Sequence, residues 1–389
     1  VRGVRLLFIS NLFPDTREPY RGLDNATLLH ALAQRWDVRA VGLRPVLPWA
    51  RGSWQPRAMD VDLRPDFVGV PYLPKFGRWN HRLYARALRR QLDLLRRSWT
   101  WDAVLCAWLF PDACAVDRLR DEFGFRYAAI AQGSDVHQYL GMPDRRKTML
   151  QHLPGASAIV TRSAELARLL ATAGLRKDRL HPIYNGVKTE LFHPADPRES
   201  AETRTQLGLP ESASVILFVG NFLPIKNPRM LFAALERLQA HSDGKDYRLV
   251  LAGGGPMEAE LRQLAAPLGN AVVFAGRHEA PGIARLMRAA DVLALTSDNE
   301  GVPNVILEAF ATGLPVVSTR VGGIAEVHRG DEHGALVPPR DPDAFASALH
   351  RVLSGRMDRH AIAEHGSQFT WEATAEAYRN VLKASVAKR

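Results

Sequence analysis

Two glutamates, Glu300 and Glu308, stand eight positions apart in SDNEGVPNVILEAFATGLPVVST, residues 297–319. An apolar packing segment has no need of either. The run DVLALTS (291–297) reads as a strand and DNEGVP as a turn. A helix is predicted over 303–312, with Pro303 suited to its first turn. Val302, Val305, Ile306, Ala309 and Phe310 fall at i, i+3, i+4, i+7 and i+8, an apolar stripe that would face a sheet. Glu308 lies beside that stripe, and Glu300 sits in the loop at the helix mouth. Unpaired backbone N–H groups near 302–305 can hold an anion there. Amides for a phosphate and carboxylates for hydroxyls suit a ligand that carries both. The plainer alternative is an acidic helix start favoured by the helix dipole.

Other strand-to-helix junctions carry similar residue types. FVGNFLPIKNP (218–228) has Ile225 where a P-loop needs Gly before its Lys, so that motif fails. Lys226 still stands at a helix start, where it can neutralise a diphosphate; a solvated helix lysine is the alternative. AGGGPMEAE (252–260) has Glu258 where a dinucleotide fingerprint needs its third Gly, which argues against an NAD site. Gly253, Gly254 and Gly255 let backbone approach a nucleotide or simply make a tight turn. In GRHE (276–279), Arg277 is a candidate for contact with a base. SNLFPDTREPYRG (10–22) ends at Gly22, which suits close approach of a ligand to the next helix. AQGSDVHQY (131–139) offers Asp135 and His137, although a lone His near a turn is commonly incidental. Asp-Val-Asp at 60–62 has the form of a metal motif but sits in a Pro- and Arg-rich connection, and it reads as a chance match.

These junctions need elements to position them, and the pattern provides them. Short β-branched runs at 4–10, 36–43, 102–108, 127–133, 157–163 and 180–186 alternate with helical stretches at 23–35, 80–98, 112–123 and 164–173. A second series has strands at 214–220, 247–253, 271–277, 291–297, 315–321 and 334–338, with helices at 227–240, 256–266, 281–289, 303–312 and 342–354. Continuous apolar strands alternating with helices predict parallel sheets covered on both faces. The expected class is α/β, with two doubly wound domains and ligands beyond the carboxyl ends of the strands. Residues 1–190 form the first domain and 191–369 the second. The polar stretch 185–204 reads as the linker. The helical segment 370–389 is free to cross back to the first domain.

The chain has 389 residues and a formal charge of +10. Residues 1–190 hold 30 Lys/Arg against 18 Asp/Glu, whereas the rest hold 21 against 23. A basic first half implies an anionic partner or an Arg-rich solvated surface. The helical run 78–99 is basic and amphipathic, able to lie on an anionic leaflet or to pack on the sheet. No nucleic-acid motif accompanies the charge. Cys106 and Cys114 do not make a disulfide framework. VRGVRLLFISNLFP is unlike a signal peptide, and no apolar run approaches the ~18 residues that cross a bilayer. The expected location is cytoplasmic, with peripheral contact at the inner membrane face.

The segment E-GVPNVIL-E resembles the Glu-x7-Glu motif of glycosyltransferase family 4, the retaining GT-B enzymes. The likeness extends through NGVKTELFHP, ILFVGN…K, LVLAGGGP, VVFAGR and DVLALTS to GLPVVST. It implies two Rossmann-like domains facing a cleft, the first binding acceptor and the second a nucleotide-diphosphate sugar. By resemblance Glu300 faces the donor sugar and Glu308 the ribose hydroxyls. Gly301, Val302, Pro303 and Asn304 line sugar and phosphate, and the loop at 276–279 approaches the base. Lys226 matches the lysine that holds the leaving diphosphate, but Asn221 stands where the family commonly has Arg. Gln132 stands where many relatives have a sugar-contacting His before Gly133. Asp135 matches the acidic residue of that segment, placing it with Gln132, Gly133, His137 and Gly22 in the acceptor or sugar pocket. Glu300, Lys226 and Asp135 are thus the candidate catalytic residues. Asn221 resembles a subgroup of the teichuronic-acid and exopolysaccharide type, which implies a lipid-linked saccharide acceptor. The family needs no metal or other cofactor. The rival readings are a nucleotide-sugar epimerase of related architecture and a non-catalytic nucleotide-sugar binder.

Overall fold

The computed structural model describes residues 3–47, 52–73, 77–240 and 244–386. The chain divides into two compact units, residues 1–185 with 371–389, and residues 186–370. The crossing therefore falls at Asn185, slightly ahead of the division at 190 that the sequence suggests.

The first unit is built on a seven-stranded sheet in the order β3-β2-β1-β4-β5-β6-β7. Its strands are β1 (Arg5–Ser10), β2 (Asp37–Val46), β3 (Asp66–Pro71), β4 (Ala103–Ala107), β5 (Tyr127–Ala131), β6 (Ala158–Thr161) and β7 (Leu180–Pro182). Its strand pairings are parallel, for example Leu6 opposite Ala103 and Val38. Side chains alternate between faces along each strand. Leu7, Ile9, Val104 and Cys106 enter one core with Tyr84, Leu88 and Leu92 of the helix Asn80–Leu95. Leu6, Phe8, Ala103 and Leu105 enter the other, beside the helices Leu23–Ala33 and Trp371–Val386. That last helix belongs to the first unit. Tyr378 and Leu382 are buried in its core, and Arg379, 1% exposed, pairs with Glu372 and Glu376. Residues 387–389 of the segment 370–389 lie outside the described residues.

The second unit carries a six-stranded parallel sheet in the order β10-β9-β8-β11-β12-β13. Here β8 is Ser214–Asn221, β9 Tyr247–Gly254, β10 Val272–Gly276, β11 Val292–Leu295, β12 Val316–Thr319 and β13 Gly334–Val337. In both sheets the chain winds outward through three strands and then returns to the other side of the first. The order reverses between β1 and β4, and again between β8 and β11. Such reversals splay the following loops apart and open a crevice at the strand ends.

Three expectations change. The stretch 185–204 is not an open linker, because Pro197–Gln206 is a helix capped by the Asp196 carboxylate, which accepts from Arg198 N at 2.8 Å. The run 112–123 is not one helix but a turn followed by the short helices Cys114–Asp117 and Arg120–Phe123. The apolar face of Asn80–Leu95 is buried against the sheet, so it is not available to a leaflet. No helix among the described residues is long and apolar enough to cross a membrane.

The helix Asn304–Ala311 rests Phe310 on three buried imidazoles, His328, His333 and His365, with ring centroids 5.9, 4.8 and 5.6 Å away. Arg329 N donates to His333 Nδ1 at 3.3 Å, which needs the neutral ring. Burial, then the neighbouring His365 and His328, push His333 down to about 4 from 6.5. The folded value lies below the unfolded one, so this contribution is intact above pH 6.5 and is lost as pH falls from 6.5 through about 4. Thermal melts of the second unit, followed by hydrogen exchange of peptides covering 304–311, should show stability falling across that window. His333→Leu should make the fall shallower; an unchanged slope would contradict the assignment.

Candidate active site

The β8/β11 reversal brings Lys226 and Glu300 together. Thr296 and Ser297 follow β11 and are fully buried. Thr296 Oγ1 lies 3.1 Å from Lys226 O and 2.9 Å from Asn227 O, tying the loop after β8 to the end of β11. Asp298 N donates to Ile225 O at 2.8 Å, a second tie between the same two loops. Within this frame Lys226 Nζ forms an ion pair with Glu300 Oε1, and Ser297 Oγ donates to the same oxygen at 2.7 Å. The Glu300 side chain is 11% exposed, and its Oε2 has no hydrogen bond among the described residues. A charged oxygen held at a crevice in this way is an acceptor for a ligand hydroxyl.

The loop that follows Glu300 is clamped from β12. Thr319 Oγ1 donates to Ser297 O at 2.6 Å, and Gly323 N to Gly301 O at 3.0 Å. Gly322 is glycine for two reasons. Its φ is +54°, and a Cβ there would overlap the Glu300 carbonyl oxygen. Pro303 has φ −65° and ψ 129°, extended rather than helical, so the helix opens at Asn304, one residue later than the sequence suggests. Gly301, Val302, Pro303 and Asn304 are all half-buried at its mouth. Glu308 occupies the second turn, half-buried beside the buried Ile306, Leu307, Ala309 and Phe310.

On the far side of β8, Asn221 and Gly254 end neighbouring strands and pair in register. Arg277 follows β10 and reaches back across β9. Its Nη2 donates to Gly254 O at 3.0 Å and its Nη1 to Asn221 Oδ1 at 3.2 Å. Gly253 and Gly255 answer to packing, since a Cβ on Gly253 would overlap Gly220 O and one on Gly255 would sit 2.7 Å from Phe222 O. The tight-turn alternative therefore accounts for those two glycines.

In the first unit the β1/β4 reversal is bridged by Asn11 and Asp112. Asp112 Oδ2 accepts from the Asn11 amide side chain at 2.8 Å, and burial pushes this carboxyl up to about 7. The loop 10–22 is pinned by Arg44, which is 2% exposed and bonds Asp15 Oδ2 at 2.7 Å. Gly22 is explained by close backbone approach, because a Cβ there would overlap Leu12 O. Gln132 Nε2 donates to Asn25 Oδ1 at 2.8 Å, and buried Arg162 adds Nη2 to the same oxygen at 3.3 Å. His137 is half-buried, with Nε2 3.5 Å from Glu165 Oε2. Asp60 of the Asp-Val-Asp run is buried and engaged by Arg57 and His30.

Asp135 departs from expectation. It is 0% exposed, and its two oxygens accept the backbone N–H of Leu109, Gln132 and Gly133, each at 2.9 Å. Burial pushes its carboxyl up to about 6 in spite of those donors. It is a brace that shapes the Gln132–Gly133 turn, not a ligand-facing carboxylate. Arg44, Asp112 and Arg162 went unread as site supports. The one signal for Arg44 was a charge inside an apolar strand.

Comparison with known proteins gives a consistent frame. A family model described as Glycosyltransferase Family 4 matches residues 25–191, and one described as Glycosyl transferases group 1 matches residues 213–355. A D-inositol 3-phosphate glycosyltransferase of Acidothermus cellulolyticus is 37% identical over 277 residues, 67% of this chain and 60% of that protein. A protein of the same name from Corynebacterium urealyticum is 36% identical over 238 residues, 57% of this chain and 56% of that protein. The matches thus span about three fifths or less of these relatives' own length. The solved structure of Anabaena HepE in complex with UDP shares the fold, with a TM-score of 0.76, 19% identity and coverage of 98% of this chain and 100% of that one.

Asp135→Asn would leave one backbone N–H, such as that of Leu109, facing an amide NH2 instead of an oxygen. The loss should be about 1–3 kcal/mol. All eight tryptophans lie in segments of the first unit, so their fluorescence reports its melting alone. A lower melting temperature is expected; an unchanged one would return Asp135 to the ligand-facing residues.

Proposed function

Because the chain belongs to glycosyltransferase family 4, we propose that it moves a sugar from a nucleotide-diphosphate sugar to a hydroxyl acceptor, with retention of anomeric configuration. The observation that carries this reading is the Lys226–Glu300 pair across the β8/β11 crevice, beside the helix mouth at Asn304. Glu300 Oε2 would accept a sugar hydroxyl, and Glu308, two turns on, would take the ribose hydroxyls. Lys226 would follow the charge onto the departing phosphate.

In the step itself, the bond from the anomeric carbon to the phosphate oxygen breaks while a bond to the acceptor oxygen forms on the same face. The acceptor proton passes to the departing phosphate oxygen. No side-chain nucleophile enters this scheme. The protein contributes position and stabilisation of developing negative charge. Asp135 acts at one remove, by shaping the turn that carries Gln132.

The acceptor is read as anionic. The first half of the chain carries 30 Lys/Arg against 18 Asp/Glu, and relatives at 36–37% identity are named for a phosphorylated inositol. A lipid-linked saccharide, the acceptor implied by the likeness to polysaccharide-building enzymes, would also bring phosphate. Arg82, Arg86 and Arg90 on the helix Asn80–Leu95, together with Arg118, line an exposed surface, which supports electrostatic contact with anionic headgroups without insertion.

The test is a transfer assay with UDP-, GDP- and ADP-sugars, offering D-inositol 3-phosphate or a polyprenyl-diphosphate saccharide in vesicles, with product anomers read by NMR. Transfer with retention to one of them is expected. Isomerised donor without transfer would favour an epimerase, and no turnover with any pair would favour a binder. A charge-assisted hydrogen bond is worth roughly 1.5–3 kcal/mol, so Lys226→Ala should lower kcat/KM by about 10–150-fold. An unchanged rate would contradict its role.

A further inference from the structure

The nucleotide-sugar reading leaves an electrostatic question at the end of β8. A nucleoside diphosphate departs with more than one negative charge, yet the cation on that loop, Lys226, is already paired with Glu300, and the two sum to no net charge. Residue 221, at the strand end itself, is a neutral Asn. Three other cations among the described residues follow strands of this sheet, and one of them, Arg320 after β12, is exposed and two strands from β8 on the side away from β9. Arg340, after β13, is bonded to Asp298 at 2.8 Å, so its charge is also compensated. Arg277 differs from Lys226 and Arg340. Its two hydrogen bonds go to neutral oxygens, the Asn221 side-chain amide and the Gly254 carbonyl.

From this arrangement we infer that Arg277, reaching from the third strand over, supplies the second cation for the donor's diphosphate at the end of β8; the inference rests on the nucleotide-sugar reading of this site. Neighbouring strands lie about 4.8 Å apart, so a guanidinium rooted after β10 must cross the end of β9 to reach β8. The chain is built to allow this. Gly254 has no Cβ, and one placed there would press on Arg277 Nε at 3.0 Å. The Asn221 amide then fixes the far end of the side chain. With Nη1 and Nη2 each making one bond, Nε–H and one N–H on each terminal nitrogen make no hydrogen bond among the described residues, and a guanidinium fork of this kind suits phosphate oxygens. Asn221 is thus a positioning residue, holding by its amide a charge that comes from two strands away.

This assigns Arg277 to phosphate, not to the base, and the two roles separate in binding. The experiment titrates UDP and UMP, GDP and GMP, and ADP and AMP into wild type, Arg277→Ala, Arg277→Lys and Arg320→Ala, and into Arg277→Ala with Asn221→Arg. For the nucleotide that binds, wild type should favour the diphosphate over the monophosphate. Arg277→Ala should lower that preference at least tenfold, and Arg277→Lys should keep part of it. Adding Asn221→Arg to Arg277→Ala should restore the preference by rooting the cation directly on β8. Arg320, exposed at the end of β12, should leave it unchanged. Arg277→Ala that weakens both nucleotides equally would make it a base contact and overturn the inference. So would loss of the preference in Arg320→Ala alone. Failure of wild type to bind any of the six would overturn the nucleotide-sugar reading itself, and this inference with it.

Discussion

A lysine and a glutamate face each other across a strand-order reversal in the second unit, and the loops around them are tied to hold that meeting. In a parallel sheet wound outward from β8 and then back through β11, the loops after those two strands diverge, and nothing in the backbone ladder joins them. Buried Thr296 and the Asp298 amide join them instead, by bonds to the carbonyls of Lys226, Asn227 and Ile225. Only with that frame in place do Lys226 and Glu300 meet. Ser297 and Lys226 hold one carboxylate oxygen, and the other makes no hydrogen bond among the described residues. Glycine 322 allows the β12 loop to press close behind Glu300, so the loop has little room to relax.

The first unit repeats this plan with different chemistry. Its reversal lies between β1 and β4, and its bridge is the Asn11–Asp112 hydrogen bond. A buried carboxyl pushed up to about 7 sits there in place of an ion pair. Burial alone would also raise Asp15, but the Glu18 amide and the Arg44 guanidinium hold it below its ordinary value, and this pair anchors the loop 10–22. Charge buried in the first unit is therefore compensated inside the scaffold, as Asp15 is by Arg44. The tail helix Trp371–Val386 completes this unit by covering one face of its sheet, with Arg379 buried between Glu372 and Glu376.

The parallel sheets were legible because their strands are continuous apolar runs, such as Ala103–Ala107 and Tyr127–Ala131, buried at every position. The strand Asp66–Pro71 was not, being an edge strand of mixed character with partial burial. The helix Pro197–Gln206 escaped notice because its composition is polar, although Asp196 before Pro197 is a helix-start signal. Glu300 and Lys226 stand out in the sequence by residue type and junction position, and the structure pairs them. Asp135 was misread because an acidic residue beside Gly133 looks the same in sequence whether it faces a ligand or three backbone amides. Long-range arrangements were beyond reach. Nothing in the spacing of Asn221, Gly254 and Arg277 tells that a side chain from one strand lies over the second to meet the third.

The most direct test of the account is hydrogen exchange of the whole chain with and without UDP, GDP and ADP. A donor site at this crevice predicts that one of these nucleotides slows exchange in peptides covering 221–228, 254–258, 276–279 and 297–308, all at the strand ends of the second unit. Protection confined to the first unit, or none with any of the three, would contradict it.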